Sequence, residues 1–393
     1  MARDLLTVEQ REIRDLVRTL ARERIAPRAA EIDKSAEFPW DVVELFREND
    51  IFGLFFDEQY GGLGTSTLLS LIAIEEVGKV CATSALILAV QELGSLGLKI
   101  AGSEEQKDRY LPKFASGEWL PAYALTESGS GSDSAAMRTT ARREGDEYVI
   151  DGSKRFITNA GVAGLYTVFA KTDLEAGHSG ISAFVVEADT PGFAVARLEP
   201  KMGISGSTTG ELTLDGVRIP AGNLLGEEGD GFKIAMRTLD RSRPGIAAQA
   251  LGIAQGATDY ALEYAKTRET MGKPIAQHQL IAAKLADMET ECEAARGLLY
   301  RYGRMTDEGV DVAELTKASA MAKLKCGDVA MFATTEAVQI LGGYGYIKEY
   351  PVERFMRDAK ITQIYEGTQE VQRLVIAREM ARESRAFLLA GVG

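Results

Sequence analysis

Cysteine and histidine are scarce in this chain: 393 residues include three Cys and two His. Cys81, Cys292 and Cys326 lie far apart, their number is odd, and no CxxC pair occurs. That excludes a disulfide framework and points to core thiols in a reducing compartment. His178 and His278 are too few for a histidine-rich metal centre, and no metal site is expected. Basic charge is also short, with 45 Lys and Arg against 58 Asp and Glu, a net charge of −13. A nucleic-acid binder would show the opposite balance or a basic stripe, and none is visible. A phosphate-bearing small molecule stays admissible, since a few Arg and backbone N–H groups suffice for it. No uninterrupted apolar run reaches the ~18 residues of a membrane span. The opening MARDLLTVEQREIRD lacks a signal-peptide core. The expectation is a soluble, cytoplasmic protein with no membrane span and no nucleic-acid partner. With 45% hydrophobic and 26% charged residues the composition is globular, and the length suits two or three domains.

Three stretches differ in pattern. The first, 1–120, reads as helical. Thr7-Val8-Glu9-Gln10 is a capping box before an apolar-periodic stretch, and Pro27 should end or kink that helix. Further helices are expected at about 40–50, 67–79, 83–101 and 104–115. From 121 to 230 short β-rich runs alternate with turn signals such as Gly145-Asp146 and Asp215-Gly216. No helix separates these runs, so an antiparallel barrel or sandwich is expected and a Rossmann sheet is not. From 231 to 393 the pattern is helical again. Ile281, Leu285, Met288, Cys292, Ala295, Leu299 and Tyr302 alternate spacings of four and three, a seam for helix packing. Ala322, Cys326, Val329, Ala333 and Ala337 form a second seam of small residues, as in a bundle.

Several segments could carry chemistry. Tyr123 to Asp133, YALTESGSGSD, follows a predicted strand; its glycines allow close backbone approach and its hydroxyls offer hydrogen bonds, although a plain flexible loop has the same composition. Phe156-Ile157-Thr158-Asn159 is a strand end where an aromatic ring could stack on a planar ligand or simply belong to the core. Arg241-Ser242-Arg243 and Arg268, on predicted helices, offer planar forks suited to phosphate. Gln339 to Gly345 ends a long helix, with a glycine cap as the plain alternative. Glu366 stands in IYEGT, in an apolar setting beside a glycine. There it is either a desolvated base or an acidic residue of a helix start.

Six segments taken in order resemble the acyl-CoA dehydrogenase family. They are YALTESGSGSD at 123–133, FITNAG at 156–161, KMGISGSTTGEL at 201–212, TRETMGKPIAQHQ at 267–279, QILGGYGY at 339–346 and MRDAKITQIYEGTQEVQRLVIAREM at 356–380. The resemblance implies an N-terminal α-helical domain, a central β-domain and a C-terminal four-helix bundle. It also implies a homotetramer with one FAD per subunit. Tyr123, Leu125, Thr126, Ser132, Phe156, Ile157 and Thr158 match positions that line the flavin. Arg268, Thr270, His278, Gln279, Gln339, Gly342 and Gly343 match positions that reach FAD across a subunit contact. Thr368 and Glu370 match positions that hold the subunit's own FAD. Ser132, Asp240, Arg243, Tyr365 and Gly367 match substrate-side positions. Glu366 matches the catalytic base of the short- and medium-chain branches: it would take the α proton of an acyl-CoA thioester while flavin N5 accepts the β hydride. Electrons would then pass to an electron-transferring flavoprotein. Ser128 stands where relatives have Pro, Phe156 where many have Trp, and Ser205 where short-chain relatives often carry Arg. A short to medium acyl chain is expected. The alternatives are a branched or carrier-tethered acyl substrate, an acyl-CoA oxidase, and a catalytically silent helical scaffold.

Overall fold

The computed structural model describes residues 6–390. Six α-helices come first: α1 (Val8–Leu20), α2 (Ala29–Ser35), α3 (Trp40–Glu48), α4 (Thr67–Gly78), α5 (Ala82–Ala101) and α6 (Glu104–Ala115). The capping box is present: Thr7 Oγ1 accepts from Gln10 N at 3.2 Å, and Gln10 Oε1 from Thr7 N at 3.1 Å. Pro27 does not stop the chain's coiling. The helix loosens into a π-turn at Ala21–Ile25 and a 3-10 turn at Ala26–Arg28, then resumes as α2. Proline sits at the start of that 3-10 turn, where no N–H is needed. Helix α5 is long and apolar enough to cross a membrane, but 78% of its most apolar window is buried inside the protein. It is the core helix of the N-terminal region.

Eight strands follow: β1 (Pro121–Ala124), β2 (Thr140–Glu144), β3 (Glu147–Thr158), β4 (Leu165–Lys171), β5 (Ile181–Glu187), β6 (Phe193–Leu198), β7 (Thr209–Pro220) and β8 (Leu224–Leu225). They form one sheet in the order β6-β7-β3-β2-β4-β5-β8, with β1 beside β4. The expected antiparallel pairing needs one correction. β1 runs parallel to β4, from Pro121 opposite Leu165 to Ala124 opposite Val168, and Thr140 pairs parallel with Lys171. A parallel pair needs a long crossover, which the β2–β3 hairpin supplies here in place of a helix. Side chains alternate along these strands. On β5, Ile181, Ala183 and Val185 join the main core, while Phe184 and Val186 join a second core inside the β region.

The remainder is helical: α7 (Gly231–Thr267), α8 (Gln279–Asp307), α9 (Val312–Leu341), α10 (Val352–Ile361) and α11 (Gln369–Ala390), with a small ladder of β9 (Glu269–Thr270) and β10 (Lys273–Pro274) between α7 and α8. Both seams face inward. Met288, Cys292, Ala295, Leu299 and Tyr302 are buried on α8, as are Ala322, Cys326, Val329, Ala333 and Ala337 on α9; Ile281 and Leu285 are half-buried. All three cysteines are free and buried. The main core runs without a break from the first helices through one face of the sheet into this bundle.

Candidate active site

Helix α7 carries a proline in its interior, Pro244. Without an N–H, this residue leaves the carbonyl four positions back unpaired. The Asp240 carbonyl instead accepts from Ser319 Oγ of α9 at 2.7 Å. The Asp240 carboxylate takes Thr316 Oγ1 at 3.0 Å and Arg243 Nη1 at 2.5 Å. The irregular turn is thereby fixed against α9, and it presents Ser242 and Arg243, both buried, to the segment between α10 and α11.

That segment carries Glu366, whose φ is +52°, followed by Gly367 at +93°. A left-handed conformation at a non-glycine residue costs on the order of 1–3 kcal/mol and persists only where the surroundings enforce it. They do so here. The Gly367 carbonyl accepts from Lys323 Nζ at 2.7 Å and from Gln372 Nε2 at 2.9 Å. Ser242 Oγ donates to Glu366 Oε2 at 2.6 Å. The other oxygen, Oε1, has no hydrogen-bond partner among the described residues, nor has the Glu366 N–H. Although Glu366 is only half-buried, the surrounding protein desolvates it. That burial pushes the carboxyl up to about 7, against the pull of the Ser242 hydrogen bond and the positive charges of Lys323 and Arg243. The alternative role as an acidic residue of a helix start does not fit, because α11 begins three residues later. Tyr365 donates its hydroxyl to Gln249 Oε1, and Gln249 Nε2 donates to the Ala82 carbonyl at 2.8 Å. Tyr123 packs edge-on to Phe169 and donates to the Ala235 carbonyl at 3.3 Å. Its phenol is pushed well up by burial and then by the Glu366 charge. Glu366, Tyr365, Gly367, Asp240, Arg243 and Tyr123 thus come together. Ser242 and Lys323 join them without having been singled out in the sequence.

The Gly/Ser segment is a braced turn. Glu127 and Ser130 exchange backbone hydrogen bonds at 3.1 Å each, and Arg155 N donates to the Thr126 carbonyl at 2.8 Å. The Glu127 carboxylate accepts from Lys154 Nζ at 2.8 Å and from Arg138 N and Thr139 N. Leu125 and Ile157 are buried, Thr126 and Thr158 half-buried, and Ser132 exposed. The ring of Phe156, at φ +59°, is 57% exposed. Beside it, Arg155 Nε is buried without a partner, and so is Ser130 Oγ in the loop. The Arg155 guanidinium lies 5.0 Å from the centre of the Phe156 ring, and this exposed ring together with unpaired polar atoms in the same loops fits a planar, hydrogen-bonding heterocycle such as a flavin.

A separate cleft of about 550 Å³ is lined by Arg268, Thr270, His278, Gly342 and Gly343, with Ile275 and Ile340 as apolar walls. Arg268 is the C-cap of α7, just past the helix, and its guanidinium lies 5.5 Å from the centre of the Tyr344 ring. His278 Nε2 lies 3.1 Å from Thr270 Oγ1. Gly342 caps α9 at φ +61°, so the cap and the cleft wall are one feature. Gln279 and Gln339 are exposed and outside the lining, and Glu366 does not border this cleft. Thr368 Oγ1 accepts from Val371 N at 3.3 Å, capping α11, and Glu370 is exposed in its first turn. No group of three His, Cys, Asp or Glu side chains among the described residues could hold a metal ion.

Three family models match the chain: the acyl-CoA dehydrogenase N-terminal domain over 7–118, middle domain over 122–217 and C-terminal domain over 229–381. Cyclohexane-1-carbonyl-CoA dehydrogenase of Geobacter metallireducens is 48% identical, over 96% of this chain and 98% of that one. The short-chain specific acyl-CoA dehydrogenase of Clostridium acetobutylicum is 47% identical, over 96% and 99%. The solved butyryl-CoA dehydrogenase of Megasphaera elsdenii superposes with a TM-score of 0.93 at 45% identity, over 96% of this chain and 99% of that one. With all three domains matched in order, this chain belongs to the acyl-CoA dehydrogenase family, oxidoreductases acting on the CH–CH group of acyl-CoA.

Proposed function

We propose that the protein converts a short- to medium-chain acyl-CoA thioester to its trans-2-enoyl-CoA, with Glu366 removing the α proton. The observation that carries this reading is the Glu366 carboxyl, raised to about 7 and held in a left-handed turn with one oxygen free. A base is most effective when its pKa lies near the working pH. Ser242 holds Oε2 and leaves Oε1 free to meet a substrate. The unpaired Glu366 N–H is a donor for the thioester oxygen, where negative charge develops as the proton leaves. Asp240, Arg243, Tyr365, Gly367 and Ser132 complete the substrate side.

FAD, when bound, supplies the acceptor for the β hydride. Tyr123, Leu125, Thr126, Ser132, Phe156, Ile157, Thr158, Thr368 and Glu370 would hold it from its own subunit. Arg268, Thr270, His278, Gln279, Gln339, Gly342 and Gly343 would hold it from a neighbour, in a cytoplasmic homotetramer that hands electrons to an electron-transferring flavoprotein. The short-chain and butyryl-CoA specificities in the names of two relatives support the chain-length reading.

The test is an anaerobic absorbance spectrum of the purified protein before and after butyryl-CoA and then octanoyl-CoA. A yellow protein bleached by either is the expected result. The Glu366→Gln variant should stay yellow and lose roughly three orders of magnitude in bleaching rate. Near-normal bleaching by that variant would remove Glu366 from the role. A colourless protein that cannot take up FAD would favour a silent scaffold.

A further inference from the structure

One buried cation beside the base has no part in the chemistry above. Lys323, on α9, is 1% exposed. A buried ammonium is costly unless well partnered, yet its two hydrogen-bond acceptors are neutral oxygens: the Gly367 carbonyl at 2.7 Å and Gln369 Oε1 at 3.2 Å. Gln369 is itself tied back to α9, through Leu324 O at 2.8 Å and Asp328 Oδ1 at 2.9 Å. Gln372 Nε2 adds its bond to the Gly367 carbonyl and reaches Glu366 O at 3.3 Å. The clamp is close: a Cβ at Gly367 would stand 2.5 Å from Gln372 Nε2.

A neutral donor on α9 could hold the Gly367 carbonyl with less desolvation. What Lys323 adds is charge. The charged groups facing it are Glu366 from the turn, Arg243 from α7, Asp328 on its own helix and Glu370 from α11. Burial and Arg243 draw the ammonium down to about 8, against the three carboxylates, of which Glu366 acts most strongly.

We infer that Lys323 is a positioning residue for the base: it clamps the Gly367 carbonyl, holds the left-handed turn that aims Glu366, and keeps a positive charge facing the Glu366 carboxylate. This rests on the reading of Glu366 as the base. Its effect has a definite sign. An opposite charge favours the ionised carboxylate, so removing the Lys323 charge raises the pH at which Glu366 loses its proton.

The experiment uses the full-length holoprotein and three variants. Lys323→Met removes charge and hydrogen bonds, Lys323→Gln removes the charge but keeps a donor, and Lys323→Arg keeps the charge. The titration of Glu366 is followed by its carboxyl infrared band, isolated by subtracting the Glu366→Gln spectrum. The midpoint should rise by about one pH unit in the Met and Gln variants and stay in place in the Arg variant. The acid limb of butyryl-CoA turnover should move with it. An unmoved midpoint in the neutral variants overturns the inference. So does failure of both to fold or retain flavin, since a positioning role leaves the fold intact. If Glu366→Gln keeps its turnover, the base reading falls, while the infrared midpoints still report the Lys323–Glu366 coupling on their own.

Discussion

Glu75 is buried and Glu366 half-buried, both desolvated by the surrounding protein, and their carboxyls move in opposite directions. Glu75, on α4, receives Arg296 Nε at 3.0 Å and the Tyr300 hydroxyl at 2.8 Å from α8, with Lys79 Nζ at 3.7 Å. Burial acts to raise it, but the cations and hydrogen bonds win and hold it at about 2. Glu366 receives one hydroxyl, and its cations, Lys323 and Arg243, act without a direct hydrogen bond; burial wins and the carboxyl rises to about 7. Burial alone does not set the sign; the number and closeness of donors decide it. Glu75 ties α4 to α8 through its ion pair with Arg296, whereas Glu366 accepts one hydroxyl and forms no ion pair among the described residues.

The contrast can be broken from either side. The largest effect on stability is expected from Arg296→Met, which leaves Glu75 buried without its main partner. Removing one member of a buried pair costs about 3–5 kcal/mol, read as a lowered urea midpoint of the holoprotein. Next comes pH. The Glu75 carboxyl is depressed on folding, so its stabilisation is complete above the ordinary value of 4.5 and is lost as pH falls from there toward about 2. The Glu366 carboxyl is raised, so its contribution runs the other way, with stability lost as pH rises from 4.5 through about 7. Urea midpoints across that second window should fall less in Glu366→Gln than in the wild type; parallel curves would deny the shift. The smallest effect belongs to Ser242→Ala. Loss of its hydrogen bond should raise Glu366 further and move the acid limb of turnover up by about 0.5–1 pH unit, with flavin content unchanged.

Much of the fold was legible because it is written locally. The seams at 281–302 and 322–337 repeat at helical spacing, and the Thr7 capping box spans four residues. The parallel pairing of β1 with β4 was not legible, since it joins residues more than forty positions apart through a hairpin that shows only local turn signals. The site divides in the same way. Glu366 stood out through its neighbours in IYEGT. Ser242, 124 residues away, was overshadowed by the arginines on either side, and its role arises only where the Pro244 irregularity meets the α10–α11 turn. Lys323 sits beside the small-residue seam of α9, close to Lys325 and Lys317, where cations read as the solvated edge of a helix; the start of α11, at Gln369, packs against it.

The single span of α7 also restricts how the sequence can change in length. This helix is about 55 Å long at 1.5 Å per residue. It carries Ser242 and Arg243 beside Glu366, Gln249 for Tyr365 and Gln255 for Arg296, and it ends at Arg268 on the separate cleft. Deleting one residue between any two of these would turn the later ones by about 100° and draw them back by about 1.5 Å. Each station would then face the wrong neighbour. Insertions and deletions in relatives should therefore gather in the surface turns around the bundle and leave the register of this helix untouched.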